Sequence, residues 1–378
     1  MILAHVLCLD VSEVDFVGGR RKVSFSKHVK HLGGIAISRI CCKFSLKMVK
    51  LKGKKMLISV AMPTYKRLPQ LKRAVDDVMS QTWHDWELVI SDDEEGEGET
   101  WKWLRDLATK DSRVRVLKNT RGKHGQIYNV NSACMATSGE WIKPFFDDDR
   151  MLPNCLEEFA KIVLSEIIQR NNVVLIGCRA QLWRNGVHVG DERNFIKHSM
   201  EVIPPPDALR AYCLLDSRNG RTPTHMLMRG DVVRSGIGMV EDAKFKHPLD
   251  VRWYGRLLEH GGYAMTEKVL VGECQGEVES GTSELWKEEP FVSEESRRVY
   301  HEIWERNHDP SWSSHRAVDG LICGVRALYH LKLHQWASAC HYLPLMFKSL
   351  ISPYLVARWL LRKRFPGRFL ATERVFVK

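Results

Sequence analysis

Two apolar runs in this 378-residue chain stop abruptly in carboxylates. Trp86-Glu87-Leu88-Val89-Ile90-Ser91 ends in Asp92-Asp93, and Trp141-Ile142-Lys143-Pro144-Phe145-Phe146 ends in Asp147-Asp148-Asp149. Like charges crowded at one strand end repel unless a cation or a donor-rich ligand lies between them. Magnesium and manganese take hard oxygen ligands, and a departing diphosphate needs its charge neutralised. The chemistry these residues suit is metal-assisted handling of a nucleotide. The bland alternatives are a solvated acidic turn for the triple aspartate and simple turn capping for Asp92 or Asp93. The first fits poorly with a cluster that closes an apolar strand.

The elements around them are what would bring these residues together. Leu57 to Met62 reads as a strand that breaks at Pro63-Thr64-Tyr65-Lys66-Arg67. Leu68, Leu71, Ala74, Val75 and Val78 then fall at helical spacing. Gly96 and Gly98 mark an acidic loop before a helix near 100–109, Val114 to Leu117 is a short strand, and a helix from Gly125 runs to about Thr137. Pro153 opens a helix to about Gln169, Val173 to Gly177 is a strand, and Ala180 to Val189 turns as a hairpin at Asn185-Gly186. Helices follow at 207–214, 231–234 and 247–260, with strands over 224–229 and 263–271. These repeats predict an α/β fold with a mainly parallel sheet flanked by helices. In such sheets ligands bind beyond the carboxyl ends of the strands.

The ordered set Pro63-Thr64-Tyr65-Lys66-Arg67, Gln81-Thr82, Asp92-Asp93 and Asp147-Asp148-Asp149 followed by Pro153 resembles the GT-A-fold glycosyltransferases of family 2, over about residues 56–275. The chain departs from the family at Lys66, where Asn is usual, and at Asp92-Asp93-Glu94-Glu95, where Gly-Ser commonly follows the acidic pair. The resemblance implies a Rossmann-like, nucleotide-diphospho-sugar transferase fold. It also implies a Mn2+ or Mg2+ cofactor held by Asp148 with Asp149, and a nucleotide-sugar pocket of Pro63, Thr64, Tyr65, Arg67, Asp93 and Asp147. Asp148 falls on the family's metal carboxylate by counting back from Pro153, with a slip of one residue left open. Asp93 would accept the N–H of a uracil, for which an acceptor-only carboxylate is suited. Tyr65 would stack on the base, its alternative being a core tyrosine. Lys123 is a weaker candidate for the diphosphate.

Registering Arg256-Leu257-Leu258-Glu259-His260-Gly261 on the family's Arg-Leu-Leu-Glu-x-Gly makes Asp250 the catalytic base for the acceptor hydroxyl. Leu249 precedes it where the family has Glu, so Glu241-Asp242 is the rival pair. The expected function is an inverting transfer from a nucleotide-sugar donor, UDP-linked, to a glycan or lipid-linked acceptor in cell-surface polysaccharide or glycolipid synthesis. A sugar-phosphate nucleotidyltransferase is the second reading, but it needs a glycine-rich loop that Pro63 to Leu68 lacks. A non-catalytic protein of the same fold is the third.

Charge divides the chain. The net +11 hides 12 Lys/Arg against 3 Asp/Glu in residues 1–55, 11 against 2 in residues 315–378, and 34 against 41 between them. Nucleic-acid binding would place basic residues on the folded body, so it is not expected. Basic ends around an acidic body suit peripheral contact with an anionic membrane from the cytoplasm. The expected domains are a basic extension over 1–55, disordered or mis-started, a catalytic domain over 56–290 in halves 56–150 and 151–290, and a helical basic region over 291–378. Met48 and Met56 lie just before the first convincing strand, which makes residues 1–47 a candidate start-site artefact. Residues 321–364 mix apolar side chains with arginine, and two readings stay open: lying in the membrane interface or packing as a subdomain. No segment approaches the roughly 18–20 apolar residues of a membrane span. Ten cysteines without Cys-x-x-Cys spacing read as buried free thiols.

Overall fold

A computed structural model describes residues 14–17, 20–23, 56–119, 123–192, 199–213, 222–239, 249–276 and 375–377, with isolated residues between 298 and 344. Residues 1–54 form one compact unit and residues 55–378 another. In the first, β1 (Val14–Val17) pairs antiparallel with β2 (Arg20–Val23).

The second unit begins with β3 (Ile58–Thr64), α1 (Leu68–Met79), β4 (Trp86–Asp92), α2 (Glu99–Lys110), β5 (Val114–Lys118), α3 (Gln126–Met135) and β6 (Trp141–Pro144). β5, β4, β3 and β6 lie side by side, all parallel. Every residue of β3 and β4 is buried, as a strand covered by helices on both faces requires. Ile58, Val60 and Met62 pack with α1 on one face, while Ala61 joins Val130 and Ala133 of α3 on the other. α1 forms because Pro69 suits a first turn and because Leu71, Ala74, Val75 and Val78 recur on one side, all buried.

Beyond β6 the chain continues through β7 (Arg150–Met151), α4 (Cys155–Val163), α5 (Glu166–Arg170), β8 (Val173–Arg184), β9 (Val187–Asp191) and β10 (Met200–Ile203). It then forms α6 (Asp207–Cys213), the 3₁₀ turn η1 (Pro223–His225), β11 (Met226–Arg229), α7 (Gly230–Arg234), α8 (Leu249–Leu258), β12 (Gly262–Gln275) and β13 (Val375–Val377). The eleven-stranded sheet runs β13-β10-β12-β8-β11-β6-β3-β4-β5, with β7 pairing beside β12 and β9 beside β8. β11 is antiparallel to both β6 and β8, so β8 and its parallel neighbour β12 point the same way as β6. The carboxyl ends of β3, β4, β6, β8 and β12 therefore share one edge.

The parallel half follows the βα repeats; the rest is mixed, because β11 is entered from η1 rather than by a crossover helix. The helix expected from Pro153 to Gln169 is two helices. Ser165 is extended (ψ 141°) and its hydroxyl donates to Ile162 O at 2.5 Å, a side-chain bond that competes with the helical ladder. The stretch 185–206 contains β9 and β10. The hairpin turn is as expected, with Asn185 and Gly186 both left-handed at φ 48° and 77°. Trp86 is buried, and Trp83, Trp101 and Trp103 pack partly buried on the core.

Candidate active site

The β3–α1 turn carries the first group of site residues. Pro63 and Thr64 end β3 buried. Tyr65 is 51% exposed, so it is not a core residue; Lys66 Nζ lies 5.1 Å from its ring centroid. Lys66 takes φ 52°, the left-handed region that Asn tolerates better than Lys. The departure at this position thus leaves the turn intact at a conformational cost. The turn directs Arg67 back across the strand ends.

Arg67 Nη1 lies 2.9 Å from Asp148 Oδ2 and 3.4 Å from Asp147 Oδ1. Thr64 Oγ1 donates to Asp147 Oδ2 at 2.7 Å, and Arg73 Nη2 donates to the Asp148 carbonyl at 2.9 Å. Asp147 and Asp148 therefore converge under one arginine. Burial and the Asp148 carboxylate push Asp147 up to about 6, although Thr64 and Arg67 pull it down. Asp149 faces the other way: it is buried, accepts the Cys274 N–H at 3.1 Å and is also bonded by Thr224. Burial first, then Asp148, raises it well above the carboxylate range.

Does this donor set suit a divalent cation? Among the described residues no group of three or more His, Cys, Asp or Glu side chains forms a metal cage. A pair of hard carboxylates at a strand end is nonetheless what magnesium-type ions use when substrate phosphates complete the shell. Asp147 and Asp148 fit that pattern, whereas Asp149 is turned toward β12.

The β4 carboxylates are heavily engaged. Asp92 is fully buried, 2.7 Å from Lys118 Nζ, and caps the next turn through the Glu94 N–H at 3.1 Å. Asp93 Oδ2 accepts the Gly125 N–H at 2.7 Å, and Oδ1 accepts Asn119 Nδ2 at 2.7 Å and approaches His124 Nδ1 at 3.2 Å. The capping alternative for these residues is therefore present in the structure, and Asp93 also fixes the entry to α3. An open cleft of about 370 Å³ lies beyond β4 and β5, lined by Asp92, Glu94, Trp101, Lys118, Asn119 and His124. Lys123 places Nζ 5.4 Å from the Tyr128 ring centroid.

Asp250 stands in the first turn of α8, half-buried, with Oδ1 accepting the Val251 N–H at 2.8 Å. Burial raises its carboxyl against that hydrogen bond. α8 packs on β8 and reaches β12 through residues 259–261, so its C-terminus meets the start of β12. Glu241 and Asp242, the rival pair, lie outside the described residues. The segment 321–364 does so almost entirely.

Several further residues near this edge carry little signal in the sequence. Lys143 is fully buried on β6 and donates to the carbonyls of Pro144, at 3.1 Å, and Thr224. Thr224 Oγ1 in turn accepts the Phe146 N–H at 3.3 Å. His225 is buried with Nε2 3.6 Å from Glu192 and 3.8 Å from Glu273. Their roles depend on η1 folding against β6, across some 80 residues of sequence. A lysine inside an apolar strand run was the one hint available.

At the carboxyl edge of the sheet an exposed tyrosine, a bridging arginine and two convergent aspartates come together, and the mixed α/β architecture is that of the GT-A fold. Residues 59–233 match the model of glycosyl transferase family 2. It is 30% identical over 99 residues to the GalNAc(5)-diNAcBac-PP-undecaprenol beta-1,3-glucosyltransferase of Campylobacter jejuni, covering 26% of this chain and 32% of that protein. It is 30% identical over 128 residues to the UDP-Glc:alpha-D-GlcNAc-diphosphoundecaprenol beta-1,3-glucosyltransferase WfgD of Escherichia coli, covering 31% and 49%. The chain thus spans about a third to about a half of the length of these relatives. In fold it is similar to Staphylococcus aureus TarS 1–349 in complex with UDP-GlcNAc, with a TM-score of 0.53 and 15% identity over 80% of this chain and 83% of that one. Among the described residues no helix is long and apolar enough to cross a membrane.

Proposed function

We propose that this protein is an inverting glycosyltransferase that moves a sugar from a UDP-linked donor to the hydroxyl of a lipid-linked glycan. The observation that carries the reading is the convergence of Asp147 and Asp148 under Arg67 at the carboxyl edge of the sheet. Tyr65, exposed beside Pro63 and Thr64, is the stacking wall for the base. Asp93 holds the loop before α3 and keeps lone-pair capacity for a base N–H. Asp147 and Asp148 would hold a divalent cation, which when bound would neutralise charge on the departing diphosphate. Asp250 takes the acceptor proton; its raised carboxyl is a stronger base than an ordinary one, which suits that task. The acceptor class follows from the undecaprenol-linked substrates in the names of two relatives. The basic ends of the chain suit work at the cytoplasmic face of an anionic membrane.

A panel of nucleotide sugars, incubated with and without manganese and with an undecaprenyl-diphosphate-linked sugar, tests the reading. Manganese-dependent release of UDP with product of inverted anomeric configuration is expected, and Asp148→Ala should abolish it while the protein stays folded. Normal turnover of Asp148→Ala at saturating manganese would refute the site. Pyrophosphate as the product would favour a nucleotidyltransferase.

A further inference from the structure

The paired aspartates already have a cation of their own. A single nitrogen, Arg67 Nη1, spans both carboxylates, at 2.9 Å from Asp148 and 3.4 Å from Asp147. The strong arginine–carboxylate arrangement is a two-nitrogen fork on one carboxylate. Toward this pair Arg67 acts as a point charge set between two anions, the position a metal ion would take. The carboxylates have other anchors, since Thr64 Oγ1 holds Asp147 and Arg73 holds the backbone of Asp148. Arg67 stands at the N-cap of α1, just past the left-handed Lys66, and keeps 29% of its side chain in solvent. Part of its side chain therefore faces solvent beside the strand ends.

We infer that Arg67 is an exchangeable counter-cation, holding Asp147 and Asp148 together until a divalent cation takes them and then moving its charge to the donor diphosphate. The inference rests on the transferase reading for the identity of the donor. Its physical basis is that a guanidinium and a divalent ion cannot share the same two carboxylates without strong repulsion. Competition for one pair of groups is a negative coupling, of the kind that typically amounts to 5–150-fold. The diphosphate offers the displaced guanidinium a new anion, so Arg67 should oppose cation binding alone and favour nucleotide binding afterwards.

Opposite signs in two titrations test this. Manganese alone is titrated calorimetrically into the full chain and its Arg67→Met, Arg67→Lys and Asp148→Ala variants, and UDP is then titrated at saturating manganese. Arg67→Met should bind manganese roughly tenfold more tightly than the parent and UDP roughly tenfold more weakly, values inside the usual coupling range. Arg67→Lys, which keeps the charge, should lie between, and Asp148→Ala should lose manganese binding. Simple misfolding would weaken both ligands together and cannot give this pattern. Manganese affinity in Arg67→Met that is equal to or weaker than the parent's overturns the inference, as does unchanged UDP affinity or no manganese uptake by either protein. Sugar transfer without the opposed shifts sinks the inference alone. Opposed shifts in a protein that transfers no sugar from any donor sink the transferase reading alone.

Discussion

Glu87→Gln should destabilise the protein without touching its substrate site, because Glu87 holds the sheet together at the edge remote from the aspartates. It is the second residue of β4, whose far end is Asp92. Ser59 Oγ and the Ser138 N–H each donate to Oε1 at 2.5 Å, Ser138 Oγ donates to it at 2.8 Å, and Arg115 Nη2 donates to Oε2 at 2.9 Å. These bonds tie β3, β5 and the turn before β6 to β4. A glutamine can offer its oxygen to only one side, so its NH2 must face either the three donors or the guanidinium. Hydrogen bonds to a charged group contribute about 1.5–3 kcal/mol, and the Arg115 share is discounted because half of that side chain is exposed. A net loss of about 2–3 kcal/mol at neutral pH follows, or on the order of 4–8 °C in melting temperature.

The pH dependence has a definite sign. Burial alone would raise the Glu87 carboxyl, but the Ser59, Ser138 and Arg115 bonds outweigh it and leave it lowered. Its stabilisation is therefore complete above the unfolded value of about 4.3 and is lost as pH falls through the lower folded value. The gap between parent and variant should hold steady above about pH 5 and narrow below about pH 4. Thermal melts across that range, with donor KM measured at neutral pH, make the test. A shift under about 1 °C, a gap unchanged in acid, or an altered KM at unaltered stability would refute the reasoning.

Asp250→Asn should lower turnover by roughly 10²–10⁴ while sparing UDP binding, and should remove the rising alkaline-going limb of the rate profile set by its raised carboxyl; a larger effect from Glu241→Gln or Asp242→Asn would move the base to that pair. Lys66→Asn should raise the melting temperature by about 1–2 °C, since Asn adopts the left-handed backbone at φ 52° more readily, and a lower melting temperature would count against strain at this turn. Sedimentation with anionic liposomes should capture the protein at low salt and release it at high salt, in a manner lost on deletion after Asp319; a protein that stays in the supernatant at low salt rules out the interfacial reading.

Local pattern determined the first half of the sheet. The alternation of fully apolar runs with helical spacing from Ile58 to Pro144 needs only neighbouring residues, and β3, α1, β4, α2, β5, α3 and β6 all stand where that pattern placed them, within a few residues at the helix ends. Asp92-Asp93 and Asp147-Asp148-Asp149 were likewise visible, because a carboxylate that ends an apolar run must lie at a strand end. What tertiary structure decided is which partner each of them has. β10 could not be read from four residues, since it forms by pairing with β12 and with β13 at the far end of the chain. Asp93 is occupied by Gly125 and Asn119, Asp149 turns away to Cys274, and Arg67 reaches Asp148 across 81 positions. Lys143 and Thr224 meet only because η1 closes on β6. Periodicity reports which face of an element is apolar, which is a property of adjacent residues. The pairing of charges at the strand ends depends on distances that exist only once β3, β6 and β12 lie in the same sheet.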